Sequence, residues 1–273
     1  GDNDKMDGGA GDDQMWGNSG NDIMFGGYGN DLMNGGDGND TMSGAAGNDV
    51  VNGDAGDDII AGGSGDDQLS GGDGDDTVDG GAGSDLFFGS TGYDTITGGS
   101  GFDTLDYSAS TVAINANLNT HVIGSSLGTT NADGVEQFIG SAFDDVINGD
   151  GLANFLAGGD GNDMIRSRAG ADTLTGGNGT DTYVFLQKDV TLDGAHKGTD
   201  FISDFQTSDK IDVSDFFKGR DIADYNDLIT LSFDGANTTL SVDTGTGFVD
   251  VVSFADSFVV PAQLLIEDHI ILV

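Results

Sequence analysis

The chain has 273 residues, 48 acidic side chains against 8 basic ones, and a formal net charge of −40. Such a charge repels nucleic acid and anionic membrane and makes a cation the natural partner. There is no cysteine, which excludes disulfides and thiolate metal sites, and no apolar run is long enough to span a membrane.

Residues 1–7 read as a degraded repeat in which Asp4 and Met6 keep the phase of the units after them. No secretory signal opens the chain, and the expectation is the C-terminal piece of a longer protein. Eleven nine-residue units then run from Gly8 to Asp106 without insertion or deletion, the first GGAGDDQMW and the last GGSGFDTLD. Position 1 is glycine throughout, from Gly8 to Gly98. Position 4 is also always glycine: Gly11, Gly20, Gly29, Gly38, Gly47, Gly56, Gly65, Gly74, Gly83, Gly92 and Gly101. Position 6 is always aspartate: Asp13, Asp22, Asp31, Asp40, Asp49, Asp58, Asp67, Asp76, Asp85, Asp94 and Asp103. Position 8 is always apolar, from Met15, Met24 and Met33 to Phe87, Ile96 and Leu105.

Glycines at fixed places allow positive φ and close backbone approach, so positions 1 to 6 read as a turn. Positions 7 to 9 read as a very short strand with position 8 pointing inward. Two units make an 18-residue coil, and stacked coils bring the position-8 side chains of both strands into one narrow interior. The turn of each unit then lies under that of the second unit after it. The position-6 carboxylates converge there, beside turn carbonyls such as those of the position-4 glycines from Gly11 to Gly92. Eleven units offer nine such pairs. An oxygen-only set of carboxylates and carbonyls suits calcium, a hard cation taking six to eight oxygens. Zinc would want histidine or cysteine, which the repeats lack. One inward residue in nine is little core, and stacked aspartates repel one another, so the roll is expected to fold only on binding calcium.

The phase breaks at Tyr107 and resumes at Gly140. Between them TVAINANL and GVEQFIG read as strands continuing the stack. Five less regular units run on from Gly140. Asp145, Asp163, Asp172 and Asp181 hold position 6, Asn154 replaces one aspartate, and Phe143 and Leu152 replace the position-4 glycine. The first two units are expected to stack without complete metal sites and the later three to bind. Arg166 and Arg168 are read as ion-pair partners of neighbouring carboxylates, ahead of a contact for an anionic glycan. Beyond Val184 glycine thins out. LITLSFDG, TTLSVDTG and GFVDVVSF look like three antiparallel strands suited to capping a solenoid. The chain therefore divides into 1–106, 107–139, 140–184 and 185–273. The fold class is all-β: a parallel β-roll with a C-terminal antiparallel cap.

The nonapeptides, VEQFIGSAFDDVINGD after the break, and DFISDFQTSDKIDVS together resemble the C-terminal RTX regions of proteins exported by bacterial type I secretion. The likeness is nearest to serralysin-type metalloprotease C-terminal domains and to the R-modules of mannuronan C5-epimerases. The resemblance implies a right-handed roll, calcium between paired turns, and position-6 aspartates with turn carbonyls as ligands. It further implies that Asp193 and Asp200 hold one more calcium outside the regular roll. The terminal QLLIEDHIILV resembles the uncleaved signal read by a type I exporter, which would place the protein outside the cell.

No HExxH, G-x-S-x-G or phosphate loop occurs, and His121, His196 and His269 stand isolated, so no catalytic residue is assigned and the chain is not read as an enzyme. The first functional expectation is a calcium-dependent folding and secretion module. The second is a calcium-dependent binder of polysaccharide or another cell surface, through Trp16, Phe25, Tyr28, Phe88, Tyr93 and Phe102 at outward or turn positions. An ice-binding roll would need an outward threonine ladder. Position 3 instead reads Ala10, Ser19, Tyr28, Asp37 and Ala46.

Overall fold

The computed structural model describes residues 1–190, 198–218, 229–233, 236–243, 248–255 and 270–271. It divides into two compact units, Gly1–Ile139 and Gly140–Val273.

In the first unit, strands begin every nine residues from Lys5–Ala10, Gln14–Ser19 and Ile23–Tyr28 onward. Each pairs in parallel with the strand 18 residues away, so alternate strands build two sheets. In one, Met6 lies opposite Met24, Met24 opposite Met42 and Met42 opposite Ile60. In the other, Met15 faces Met33, Met33 faces Val51 and Val51 faces Leu69. Two nonapeptides thus make one coil. The position-8 row from Met15 to Leu105 is at most 7% exposed and forms the core. Position 1, where only glycine stands, is the second inward position of each strand, while positions 7 and 9 face outward or sideways.

The strands are longer than the repeat suggests. Most span six residues, from position 7 to position 3 of the next unit, and the turn is only positions 4 to 6. The reason is position 2, which takes positive φ: 91° at Gly9, 111° at Gly27 and 106° at Gly36. That bend carries the strand past the compact position-1 glycine while pairing resumes beyond it, as in Trp16 with Asn34 and then Asn18 with Gly36. Asn18, Ala45 and Asp54 adopt the same region, at 69°, 78° and 73°, against the usual side-chain preference.

Residues 107–139 enlarge one coil. Asn115–Asn117 pairs antiparallel with Val122–Ser125, which pairs antiparallel with Gly128–Asp133. The last of these runs parallel to Thr95–Ser100, and Gln137–Ile139 runs parallel to Thr104–Asp106. Within TVAINANL only residues 115–117 are strand, and Leu118–Thr120 forms a 3-10 turn. Buried Tyr107 and Phe138 pack with ring centroids 5.8 Å apart.

The second unit repeats the construction. Ile147, Ile165, Tyr183 and Ile211 form one inward row on parallel strands. Leu156, Leu174, Ile202 and Phe254 form the other. The sheet carrying Phe254 then turns antiparallel: Phe248–Ala255 pairs with Asn237–Asp243, and that with Ile229–Phe233. These are the three strands expected of a cap. Of the terminal QLLIEDHIILV, only Ile270–Ile271 is described, as a strand beside Lys210–Asp212.

Candidate metal centre

A regular turn has few residues, and each N–H goes to a neighbouring coil. The position-4 N–H donates to a carbonyl of the following coil, as Gly20 to Asp37 (2.8 Å) and Gly38 to Ala55 (2.7 Å). The position-5 N–H reaches a side-chain oxygen of position 5 in the preceding coil. Asn39 donates to Asn21 Oδ1 (3.1 Å), Asp57 to Asn39 Oδ1 (3.2 Å) and Asp75 to Asp57 Oδ1 (3.0 Å). The position-6 N–H runs the other way, to Oδ1 of position 6 in the following coil. Asp22 donates to Asp40 (2.7 Å), Asp40 to Asp58 (2.7 Å) and Asp58 to Asp76 (2.9 Å). Two antiparallel ladders of side-chain oxygens therefore satisfy the backbone of stacked turns too tight to bond internally.

This arrangement uses Oδ1 of each position-6 aspartate and leaves Oδ2. Among the described residues, Oδ2 is buried without a hydrogen-bond donor at Asp13, Asp22, Asp31, Asp40, Asp49, Asp58, Asp67, Asp76, Asp85, Asp163, Asp172 and Asp181. One such oxygen costs about 1–3 kcal/mol, and more when charged, so a whole row of them calls for a positive partner. The surroundings suit one. A Cβ added to Gly17 would collide with Asp22 Oδ2 and the Gly35 carbonyl; one on Gly53 would meet Asp58 Oδ2 and the Gly71 carbonyl. Glycine at position 1 thus keeps open an oxygen-lined cradle between one carboxylate and the next coil's backbone. No three His, Cys, Asp or Glu side chains converge among the described residues, so a cation here would be held by few carboxylates together with backbone carbonyls such as those of Gly35 and Gly71. That donor set fits calcium.

Burial pushes these carboxyls upward: Asp58, Asp67 and Asp163 to about 7, Asp76 and Asp181 to about 6. The N–H bond to Oδ1 pulls the other way and neighbouring aspartates add to the rise. Asp40, Asp49, Asp85, Asp94 and Asp103 shift in the same direction, again chiefly by burial. Asp172 and Asp200 are both raised by burial, and for Asp172 the neighbouring Asp200 adds to it.

The structure brings the sequence-assigned aspartates into two columns of turns, with several differences. The position-4 glycines take positive φ, 123° at Gly20 and 131° at Gly38, and a Cβ on Gly38 would strike the Gly20 carbonyl. A position-1 carbonyl of the next coil also stands on this side of the turn, Gly35 near Asp22 Oδ2 and Gly71 near Asp58 Oδ2. Asp94 and Asp145 in the nonapeptides, and Asp200 and Asp209 beyond them, have both oxygens bonded within the protein. Asp200 does not lie outside the regular roll as expected. It stands in the ladder, Oδ1 accepting the Asp172 N–H (3.0 Å) and Oδ2 the Ser167 hydroxyl (2.6 Å), because a 28-residue coil brings it into register. Asp193 lies outside the described residues, as do His196 and His269. Arg166 pairs with Asp189 at 2.6 Å, and His121 lies 3.1 Å from Asp133 at the surface.

Sequence reasoning gave no place in the ladders to Asp209, to Glu136 or to the position-5 side chains. Asp209 Oδ1 accepts the Asp181 N–H at 3.1 Å; its signal was the nine-residue spacing from Asp200, with Ile202 and Ile211 at position 8. Glu136 Oε2 accepts the Asp103 N–H at 2.9 Å, a longer side chain serving where the coil is enlarged. The position-5 ladder was visible as Asp or Asn in each of the first eight units, from Asp12 to Asp75.

A family model for the RTX calcium-binding nonapeptide repeat (4 copies) matches residues 1–33, 16–51, 25–60, 34–69, 52–87, 79–109, 131–151 and 148–183. Together these matches take in more than half of the chain. No curated protein matches it. Among solved structures, an extracellular lipase from Serratia marcescens is 19% identical, with 86% of this chain and 45% of the lipase covered and a TM-score of 0.31. The R3 subunit of a mannuronan C5-epimerase from Azotobacter vinelandii is 22% identical, with 77% and 80% covered and a TM-score of 0.32. The chain spans less than half the length of that lipase. Likenesses this distant do not carry the fold, which rests on the strand pairing itself.

Proposed function

The chain belongs to the RTX calcium-binding nonapeptide repeat family, and from that premise we propose that it is a module whose folding is switched on by extracellular calcium. It is a calcium-binding parallel β-roll. The observation that carries the rest is the row of buried Oδ2 atoms without donors, from Asp13 to Asp85 and from Asp163 to Asp181. In this reading each of those oxygens is a calcium ligand together with carbonyls of the next coil, and the aspartates repel one another until the ions arrive.

Location then decides conformation. Extracellular calcium modules often bind at about 0.1–1 mM, so the chain stays unfolded for export and folds outside, assisting the folding of whatever is joined to it. Calcium titration of the full chain, followed by circular dichroism, tests this. Folding with a midpoint in that range is expected; complete folding at submicromolar free calcium would contradict it. The C-terminus serves a type I exporter in the same proposal. Deleting residues 263–273 should abolish export while leaving calcium-driven folding intact, and unchanged export would remove that part.

A second reading has its own observation. Trp16, Tyr28 and Tyr93 are 51%, 74% and 70% exposed, and exposed rings can stack on sugars. Calorimetry with alginate in saturating calcium tests it: heat of binding lost on Tyr28→Ala supports a polysaccharide partner, and no heat at all eliminates it.

A further inference from the structure

We infer, resting on the calcium reading above, that three nonapeptide edges among the described residues are closed to calcium by their own position 2: those at Asp94, Asp145 and Asn154. At each, the residue at position 2 of the same nonapeptide has taken the cation's place. The Ser90 hydroxyl donates to Asp94 Oδ2 (3.1 Å). The Ser141 N–H donates to Asp145 Oδ2 (2.5 Å), and its hydroxyl lies 2.8 and 3.0 Å from the two oxygens. The Asp150 N–H donates to Asn154 Oδ1 (3.0 Å).

The cause is the backbone, not the residue type. Among the described residues, every aspartate with a buried, donorless Oδ2 comes after a position 2 in the positive-φ region. This holds even where position 2 is not glycine: Asn18 (69°) precedes Asp22, Ala45 (78°) precedes Asp49, Asp54 (73°) precedes Asp58 and Arg168 (76°) precedes Asp172. Ser90, Ser141 and Asp150 are outside that region. Without the bend, position 2 turns its N–H or hydroxyl inward onto the position-6 side chain. The strand stops early as well: Leu86–Phe88 and Val146–Asn148 end before position 1.

At Asp94 a second group closes the site. The Tyr107 hydroxyl lies 2.6 Å from Thr130 Oγ1, which in turn donates to Asp94 Oδ2 at 3.3 Å. The turn of Asp94 is stacked on Thr129, whose carbonyl accepts its N–H at 3.1 Å, so the next nonapeptide turn that would supply further ligands is not there. A calcium ion at these edges would have to break bonds to buried oxygens and displace hydrogens aimed at its own position. At Asn154 it would also find no anion.

The donorless Oδ2 atoms form two runs, Asp13–Asp85 in the first unit and Asp163–Asp181 in the second, and all three closed edges fall outside them. Equilibrium dialysis of the full chain with radioactive calcium tests this. Asp94→Asn and Asp145→Asn should bind as many ions as the unaltered chain, while Asp58→Asn binds one fewer. Loss of an ion in Asp94→Asn or Asp145→Asn overturns the inference. Asn154→Asp restores a carboxylate without removing any group, and so stays decisive should an Asp→Asn chain fail to fold. An unchanged count supports the closed edge, and one additional ion overturns it. An unaltered chain that binds no calcium would instead refute the calcium reading itself.

Discussion

Two substitutions at Asp58 separate the tasks of a ladder aspartate. Asp58 is 1% exposed. Its Oδ1 accepts the buried Asp40 N–H at 2.7 Å, and its Oδ2 has no donor. Asp58→Asn keeps the Oδ1 acceptor and the shape but replaces the anionic oxygen with an amide nitrogen, which cannot ligate calcium. Asp58→Ala removes both. Each variant should lose one calcium. In saturating calcium, the alanine variant should be less stable than the asparagine variant by about 1–3 kcal/mol, the cost of a buried N–H left without an acceptor. Urea unfolding reads this as a lower midpoint at similar slope. Equal midpoints for the two variants would show that the Oδ1 bond does not hold the coils together. Full calcium stoichiometry in Asp58→Asn would show that Oδ2 is not a ligand.

Gly53→Ala puts a methyl group against Asp58 Oδ2 and the Gly71 carbonyl; it should cost about 1–3 kcal/mol as overpacking and remove a calcium, as measured by urea unfolding and dialysis. Asp57→Ala takes the acceptor from the exposed Asp75 N–H and should cost no more than about 1 kcal/mol with calcium stoichiometry unchanged, because position 5 carries no cradle. In the calcium-depleted chain the pH dependence is set by carboxyls whose folded values lie above their ordinary one, such as Asp58 and Asp67 at about 7 and Asp76 at about 6. Folded chain then holds more protons than unfolded chain, so stability falls as pH rises through 6 to 7. Circular dichroism of that chain should gain β signal on acidification from pH 8 to pH 5.

The roll was legible because its period is strict. Position 6 aspartates and position 8 apolar residues nine apart dictate two-unit coils, and Met15 opposite Met33 or Val51 opposite Leu69 is the direct result. What escaped depends on backbone conformation that composition does not encode. Asn18, Ala45 and Asp54 depart from glycine at position 2 as Ser90 and Ser141 do, yet the first three keep positive φ and the serines do not. Strand length and the closing of the Asp94 edge both hang on that difference, whereas incomplete sites at Asp145 and Asn154 were expected from Phe143, Leu152 and Asn154. Asp200 and Asp209 escaped for another reason: a 28-residue coil hides their register with Asp172 and Asp181, and only their own nine-residue spacing reveals it. Glu136 joins the ladder through an enlarged coil, which no fixed period predicts.

The most direct test of calcium-conditional folding is far-UV circular dichroism of the full chain at pH 7.5, first in excess chelator and then in millimolar calcium. A disordered spectrum in chelator that becomes a β spectrum on adding calcium is the predicted result. Coincident β spectra in both conditions would contradict it.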